Sequence, residues 1–160
     1  MYKAIVRARV RRGIQELNEG NAEFVLGLAV PDFELAFPGD NSWAAMHRPV
    51  KKSRERHVTH RGVAEVRAFA ERFIAAGIQY QIDEILVNGP PWNTRVAMRA
   101  VDWVIGPDGA DAYNNRMVSF LELRWGKIVG WEVYEDTQRV TAWDEALAAG
   151  QPSDCFCSRC

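Results

Sequence analysis

Three polar residues stand where strand alternation calls for apolar ones. Between Thr94 and Asp136 the chain reads TRVAMRAVDWVIGPDGADAYNNRMVSFLELRWGKIVGWEVYED. Residues two apart along a strand point to the same face of the sheet. Val96, Met98, Ala100, Asp102 and Val104 share one such face. Tyr113, Asn115, Met117, Ser119 and Leu121 share a second, and Val129, Trp131, Val133 and Glu135 a third. Asp102, Asn115 and Glu135 are therefore expected among hydrophobic neighbours, lining a cavity for a small apolar molecule. A carboxylate withdrawn from water has a raised pKa. A base poised near neutrality suits proton abstraction from carbon next to a carbonyl. Asn115 or Tyr113 is the natural donor to the oxygen on which charge then develops. Plainer readings stand beside these: Asp102 pairs with Arg116 and ties strands together, Asn115 finds a protein partner, and Tyr113, next to a loop, is solvated.

The elements that must hold these groups follow from turn signals and periodicity. Gly106-Pro107-Asp108-Gly109 and Arg124-Trp125-Gly126-Lys127 break the stretch into an antiparallel meander of three strands. Upstream, Gln79 to Val87 reads as a strand turned back by Gly89-Pro90-Pro91, and Phe33 to Phe37 as a short strand. Val6, Val10, Ile14 and Leu17 recur at helical spacing within Tyr2 to Glu19, and Ala22 to Ala29 reads as a short second helix. Val63, Val66, Phe69, Phe73 and Ile74 form the stripe of a helix from Gly62 to Ala76, and Thr137 to Ala149 reads as a closing helix. Helices segregated from an antiparallel sheet make an α+β domain. A twisted sheet around one long helix leaves a conical pocket, for which Phe37, Trp43, Met98, Met117, Trp131 and Val133 are the expected ligand-binding walls. The domain is expected to span residues 1–149, with 150–160 as a tail.

The segment from Trp43 to Arg61 has no clear periodicity and reads as a lid or binding loop. It holds His47, His57 and His60 and the basic run Lys51, Lys52, Arg54 and Arg56. His60 is a candidate acid closing over the pocket. His57 and His60 lack a third ligand at helical spacing, so no metal is expected there. Cys155, Cys157 and Cys160, the three cysteines of the chain, lie at its end. They read as a tail of oxidisable thiols, the alternative being a soft-metal clip.

Composition narrows the partners. A net charge of −1 over 160 residues gives no global attraction to nucleic acid or anionic lipid. Lys3, Arg7, Arg9, Arg11 and Arg12 make the first helix basic, and the plain reading is a solvated face. No apolar run is long enough for a membrane span, and no secretory pattern is seen at the start, so the cytoplasm is the expected compartment. No phosphate-cradling glycine loop is present, and no organic cofactor is expected. Trp103, Val118, Phe120 and Tyr134 give the outer sheet face an apolar patch, for which a homodimer is the expected cover.

Several short motifs carry a likeness beyond pattern. They are Leu17-Asn18-Glu19-Gly20-Asn21, Pro31-Asp32, Phe37-Pro38-Gly39, Arg61-Gly62-Val63, Gly126-Lys127-Ile128-Val129 and Tyr134-Glu135-Asp136-Thr137. In their order and intervals the chain resembles the nuclear-transport-factor-2-like superfamily, and within it the SnoaL-like branch, over Tyr2 to Ala149. The resemblance implies a cone-shaped α+β barrel around an apolar pocket, often dimeric through the outer sheet face. It implies a choice among ketosteroid isomerases, polyketide cyclases, limonene-epoxide hydrolases, dehydratases and non-enzymatic binders. Placed residue by residue, the epoxide hydrolases' first acid falls on Asp102, but their arginine falls on Ala100 and their second acid on Val133. The isomerases' base falls on Phe37 and their proton donor near Val118. The cyclases' single acid–base carboxylate is met by Asp102 or Glu135. Asp136 is implied to cap the final helix. Acid–base turnover of a polyketide- or steroid-like carbonyl compound is the leading expectation. A non-catalytic binder is the first alternative and an epoxide-hydrolase-like enzyme the second.

Overall fold

The computed structural model describes residues 1–39, 41–44 and 58–150. His47, His57, the basic run and the three cysteines lie outside the described residues. In chain order the elements are α1 (Tyr2–Asn18), α2 (Glu23–Leu26), β1 (Ala29–Ala36), β2 (His60–Arg61), α3 (Gly62–Ala75), β3 (Gln79–Asn88), β4 (Thr94–Ile105), β5 (Asp111–Arg124), β6 (Lys127–Glu135) and α4 (Thr137–Ala148). The strands form one sheet in the order β2-β1-β6-β5-β4-β3. All neighbours pair antiparallel except β1 and β6, which run parallel. The architecture is the α+β cone expected, a curved, mostly antiparallel sheet with helices on its concave side.

The meander forms because its alternation is nearly unbroken. Val96, Met98, Ala100 and Asp102 on β4 are buried, as are Tyr113, Asn115, Met117, Ser119 and Leu121 on β5. The opposite parity faces out: Val118, Phe120 and Tyr134 are exposed in the single chain, and Trp103 is half-buried. The β5–β6 turn uses Trp125 and Gly126, both left-handed with φ of 52° and 77°. A two-residue hairpin loop of this mirror-image kind requires both.

Two expectations change. Val129 was read as inward, yet Ile128 is buried and Val129 is half-exposed. Leu123 pairs with Ile128 and Glu122 with Gly130, so Val129 is the extra residue of a β-bulge. The second helix ends at Leu26 rather than running to Ala29. Ala29 instead pairs with Ile128 and opens β1, whose ladder then satisfies the backbone. A second bulge places Asp83 between the pairs Ile82–Ala100 and Glu84–Arg99. It lets Tyr80, Ile85 and Val87 all turn inward.

The core fills the concave face. Val6, Ile14 and Leu17 of α1 and Val66, Ala70 and Phe73 of α3 pack toward the sheet, with Phe33 and Val96 fully buried. Deeper burial of these side chains stabilises the fold by about 1.5–3 kcal/mol each. α4 starts at Asp136, whose side-chain oxygen accepts from the backbone N–H of Gln138 and Arg139 at 3.1 and 3.4 Å. That is the capping role the sequence pattern implied. Val140 and Trp143 are the buried face of α4.

Candidate active site

Asp102 lies in mid-sheet, directly opposite Tyr80 on β3 and Asn115 on β5. Directly opposed residues share a face and touch. Tyr113 stands two residues before Asn115 on the same face. Glu135, at the end of β6, pairs with Met117, one inward step beyond Asn115. Five groups are thus gathered at one end of the cone by three ladders.

Asn115 organises the group. Its amide N–H₂ donates to the Tyr113 hydroxyl at 3.0 Å and to the backbone oxygen of Asp136 at 3.1 Å. Its oxygen accepts from the backbone N–H of Arg116 at 2.8 Å. Both amide protons of Asn115 are therefore engaged by the protein in this structure. Tyr113 accepts from Asn115, which leaves its own proton to favour the neighbouring Asp102 anion.

Burial raises the Asp102 carboxyl to about 7, against the opposing pull of its own backbone N–H and the Tyr113 hydroxyl. Burial raises Glu135 to about 8, with the nearby charges of Asp102 and Asp136 adding to the effect. The two acids disfavour each other's ionisation, so they lose their protons in succession. Ionising in succession, the pair passes through a state with one carboxylate and one carboxylic acid, the base and the donor that acid–base chemistry requires. One oxygen of each, Oδ1 of Asp102 and Oε1 of Glu135, is buried and has no hydrogen-bond partner among the described residues. Unsatisfied buried polar atoms are rare in native proteins and mark sites.

Tyr80 was not among the residues singled out from the sequence. Its ring stacks on Phe73 with centroids 4.8 Å apart. Burial, then the charges of Asp102 and Glu135, hold its phenol firmly protonated. It lines the free space beside Asp102. No bond of its hydroxyl is found among the described residues.

Aromatic rings wall the site. The Arg72 guanidinium lies 3.9 Å from the Trp43 ring centre, Trp43 stacks on Trp143 at 5.6 Å, and Trp143 stacks on Tyr113 at 4.6 Å. Both faces of Trp43 are taken, so it is not a stacking wall for a ligand. Its indole N–H is buried and without an acceptor among the described residues. Ser42 ties this wall to α4 by donating through its N–H and hydroxyl to Asp144, while Arg72 donates to Ser42.

The free space that Asp102 shares with Tyr80, Tyr113 and Trp143 is about 10 Å³, enough for about one water, and Asp102 also lines an open polar cleft of about 640 Å³ with Asn115, Arg116, Asp136 and Arg139. The smaller space adjoins an apolar chamber of about 40 Å³ through shared walls of Phe37, Phe73 and Tyr80. Phe37, Trp131 and Val133, expected as ligand walls, all line that chamber. Trp131 also lines a further cavity of about 70 Å³ on the α1 side, which Met98 lines too. Met117 is fully packed between its register partners Ala100 and Glu135. Val118 faces out, so an isomerase-type proton donor at that place would stand outside the cone. The inward neighbours there are Met117 and Ser119.

His60 is buried on the edge strand β2, opposite Leu35. Its Nδ1 shares a 2.9 Å hydrogen bond with the Thr59 hydroxyl, and its ring meets Phe69 edge-on at 5.1 Å. Burial lowers its pKa, with Glu65 opposing, which keeps the imidazole neutral. The described contacts join it to Thr59 and Phe69, not to the acid pair. Among the described residues no three His, Cys, Asp or Glu side chains converge on a metal-sized site. No helix of the described residues is long and apolar enough to cross a membrane.

The sequence pattern of the SnoaL-like domain matches residues 10–131. A search of curated protein sequences returned no match. Solved structures with the same fold include an NTF2-like protein of unknown function from Burkholderia pseudomallei K96243. It is 18% identical, with 86% of this chain and 95% of that chain covered and a TM-score of 0.65. TerC co-crystallised with polyporic acid is 18% identical over 86% and 96% of the two chains, with a TM-score of 0.64. A candidate polyketide cyclase from Pseudomonas putida KT2440 is 16% identical over 85% and 95%, with a TM-score of 0.55. At these identities the likeness establishes the fold.

Proposed function

This chain belongs to the SnoaL-like domain family, and from that premise we propose that it binds a small, largely apolar carbonyl compound and turns it over by acid–base chemistry. The observation that carries the reading is the pair of buried carboxyls, Asp102 and Glu135, each with an unsatisfied oxygen at the end of an apolar cone. The Asp102 carboxylate takes a proton from the carbon next to the carbonyl. The C–H electron pair becomes the new carbon–carbon double bond, the carbonyl π pair moves onto the oxygen, and the enolate so formed accepts hydrogen bonds from the Tyr80 hydroxyl and the protonated Glu135. Return of the proton to a different carbon gives isomerisation. Attack of the enolate carbon on a second carbonyl gives ring closure, with Glu135 supplying a proton to the new alkoxide. Polyketide-like substrates fit this chemistry, and the polyketide-cyclase likeness supports that class.

A second reading, binding without turnover, is favoured by one observation. The space that Asp102 shares with Tyr80 and Tyr113 is close to one water in size, and the spaces on the core side of it are apolar. Turnover of cyclic enones and poly-β-keto esters, followed from pH 5 to 9, separates the two. The enzyme reading expects a rate that rises with an ionisation near 7 and falls about 10³-fold in Asp102→Asn. No turnover across the panel, or an unchanged rate in Asp102→Asn, leaves the binding reading.

A further inference from the structure

Past Trp131 the apolar chamber gives way to the cavity on the α1 side. α1, α2 and the turn end of the β4–β5–β6 meander enclose it, with Val6, Val10, Phe24, Leu28, Leu121 and Ile128 among its walls. Three groups there are not apolar, and one of them, the Tyr2 hydroxyl, is already bonded to Thr94 Oγ1 at 2.7 Å. The indole N–H of Trp131 is buried and has no acceptor among the described residues, and Trp131 is the wall between this cavity and the chamber leading to Asp102. Arg9 is at the exposed rim. No acid pairs with Arg9 among the described residues, whereas Arg12 one turn on is held by Glu16 at 3.2 Å.

The rim is built around the Arg9 head group. Gly126 takes a φ of +77°, and a Cβ there would meet Arg9 Nη1 at 3.3 Å. The turn that closes β5 onto β6 thus leaves the guanidinium a seat against bare backbone. The surrounding field is positive. Lys3, Arg7, Arg9, Arg11 and Arg12 come before the first acid of the helix, Glu16. A guanidinium stays charged at every working pH and prefers planar carboxylates.

We propose that this cavity is a binding site for a linear acyl carboxylate. The chain lies between α1, α2 and the sheet, the carboxylate pairs with Arg9, and an oxygen along the chain accepts from Trp131. The cavity walls set the apolar tail, the rim sets the sign of the head group, and the orphaned indole N–H sets the preference for a keto or hydroxy chain. The site is a place of binding, and its existence does not depend on proton transfer at Asp102.

The test is isothermal titration of the whole chain with decanoate, 3-oxodecanoate, decanol and decyltrimethylammonium. Decanoate is expected to bind about tenfold more tightly than decanol, as one charge-assisted pair supplies, and decyltrimethylammonium more weakly than either. Arg9→Gln, at an exposed position, is expected to bring decanoate down to the decanol value and leave decanol unchanged. 3-Oxodecanoate is expected to exceed decanoate in the parent and to equal it in Trp131→Phe. Equal binding of decanoate and decanol, an unchanged decanoate affinity in Arg9→Gln, or absence of heat with every ligand overturns the proposal. Binding is read without turnover, so a missing enzymatic activity does not bear on the outcome.

Discussion

The two ends of the cone are built on opposite terms. At the Asp102 end, carboxyls and phenols are packed among Trp43, Phe73, Tyr80 and Trp143 and shut in by α4. At the Arg9 end, the walls are largely aliphatic and the charge sits at the rim. The difference follows from what each end has to do. A group that must give and take protons near neutrality has to have its pKa moved, and burial is what moves it. A group that only has to hold a charge of fixed sign works best where water still reaches it, because burying it would cost several kcal/mol. The pKa shifts fall as this contrast requires: Asp102 and Glu135 are raised to about 7 and about 8.

The contrast breaks first at Asp102. Asp102→Asn is expected to remove about 10³ of the turnover rate together with the ionisation near 7, read from a pH–rate profile. Next in size is a stability effect. A carboxyl with a raised folded pKa binds more protons folded than unfolded, so stability falls as pH rises between the unfolded and folded values. For Asp102 and Glu135 that window runs from about 4 to about 7 and about 8. Unfolding by urea is expected to show the chain more stable at pH 5 than at pH 8.5 by on the order of a few kcal/mol. The double variant Asp102→Asn, Glu135→Gln should flatten the curve. A flat profile in the parent would mean that the acids are not withdrawn from water.

Tyr80→Phe sharpens the acid end by removing one hydroxyl and no ring. It is expected to lower kcat by roughly 10- to 100-fold with little change in KM, as loss of a donor to a developing oxyanion does. Arg9→Gln is smaller, about tenfold in the affinity of a carboxylate, and should leave kcat for an uncharged substrate alone. The smallest effect belongs to the turn itself. Among the described residues Trp125 is the non-glycine residue with a positive φ, and its ring sits 5.8 Å from Trp92 on the surface. Trp125→Asn supplies a residue suited to that conformation and loses an exposed ring pair. It is expected to raise stability by about 0.5 kcal/mol in thermal melts, with the acid end untouched.

The sheet was legible because β4 and β5 alternate without a break over their inward residues, and burial follows that alternation from Val96 to Leu121. The acids were legible for the same reason: a carboxyl in an apolar parity class stands out. Tyr80 was not, because its strand changes phase at Asp83 and its role rests on facing Asp102, which is a matter of register between strands. Nor was the use of Asn115, whose amide is consumed by the carbonyl of Asp136 and the Tyr113 hydroxyl. The sequence shows an amide in the right row but not how near the start of α4 comes to it. The stack from Arg72 through Trp43 and Trp143 to Tyr113 joins a loop, two helices and a strand, and no local spacing encodes it.

The bulge at Val129 has a genetic reading. Before it, Leu123 faces Ile128; after it, Leu121 faces Trp131, Ser119 faces Val133 and Met117 faces Glu135. Paired without the bulge, the same sequence would bring Gly130, Glu132 and Tyr134 to the concave side and carry Trp131, Val133 and Glu135 to the outside. Loss of the Val129 codon itself would do no such thing: it would join Ile128 to Gly130 and leave every one of these pairs in a regular ladder. Loss of a second codon between Ile128 and Trp131 is the damaging event, because with the hairpin kept it would turn the proposed proton donor and the wall between the two cavities outward. Substitutions at the site and such a two-codon loss are thus separate mutational routes to the same defect, and the second would leave the site's residues unaltered.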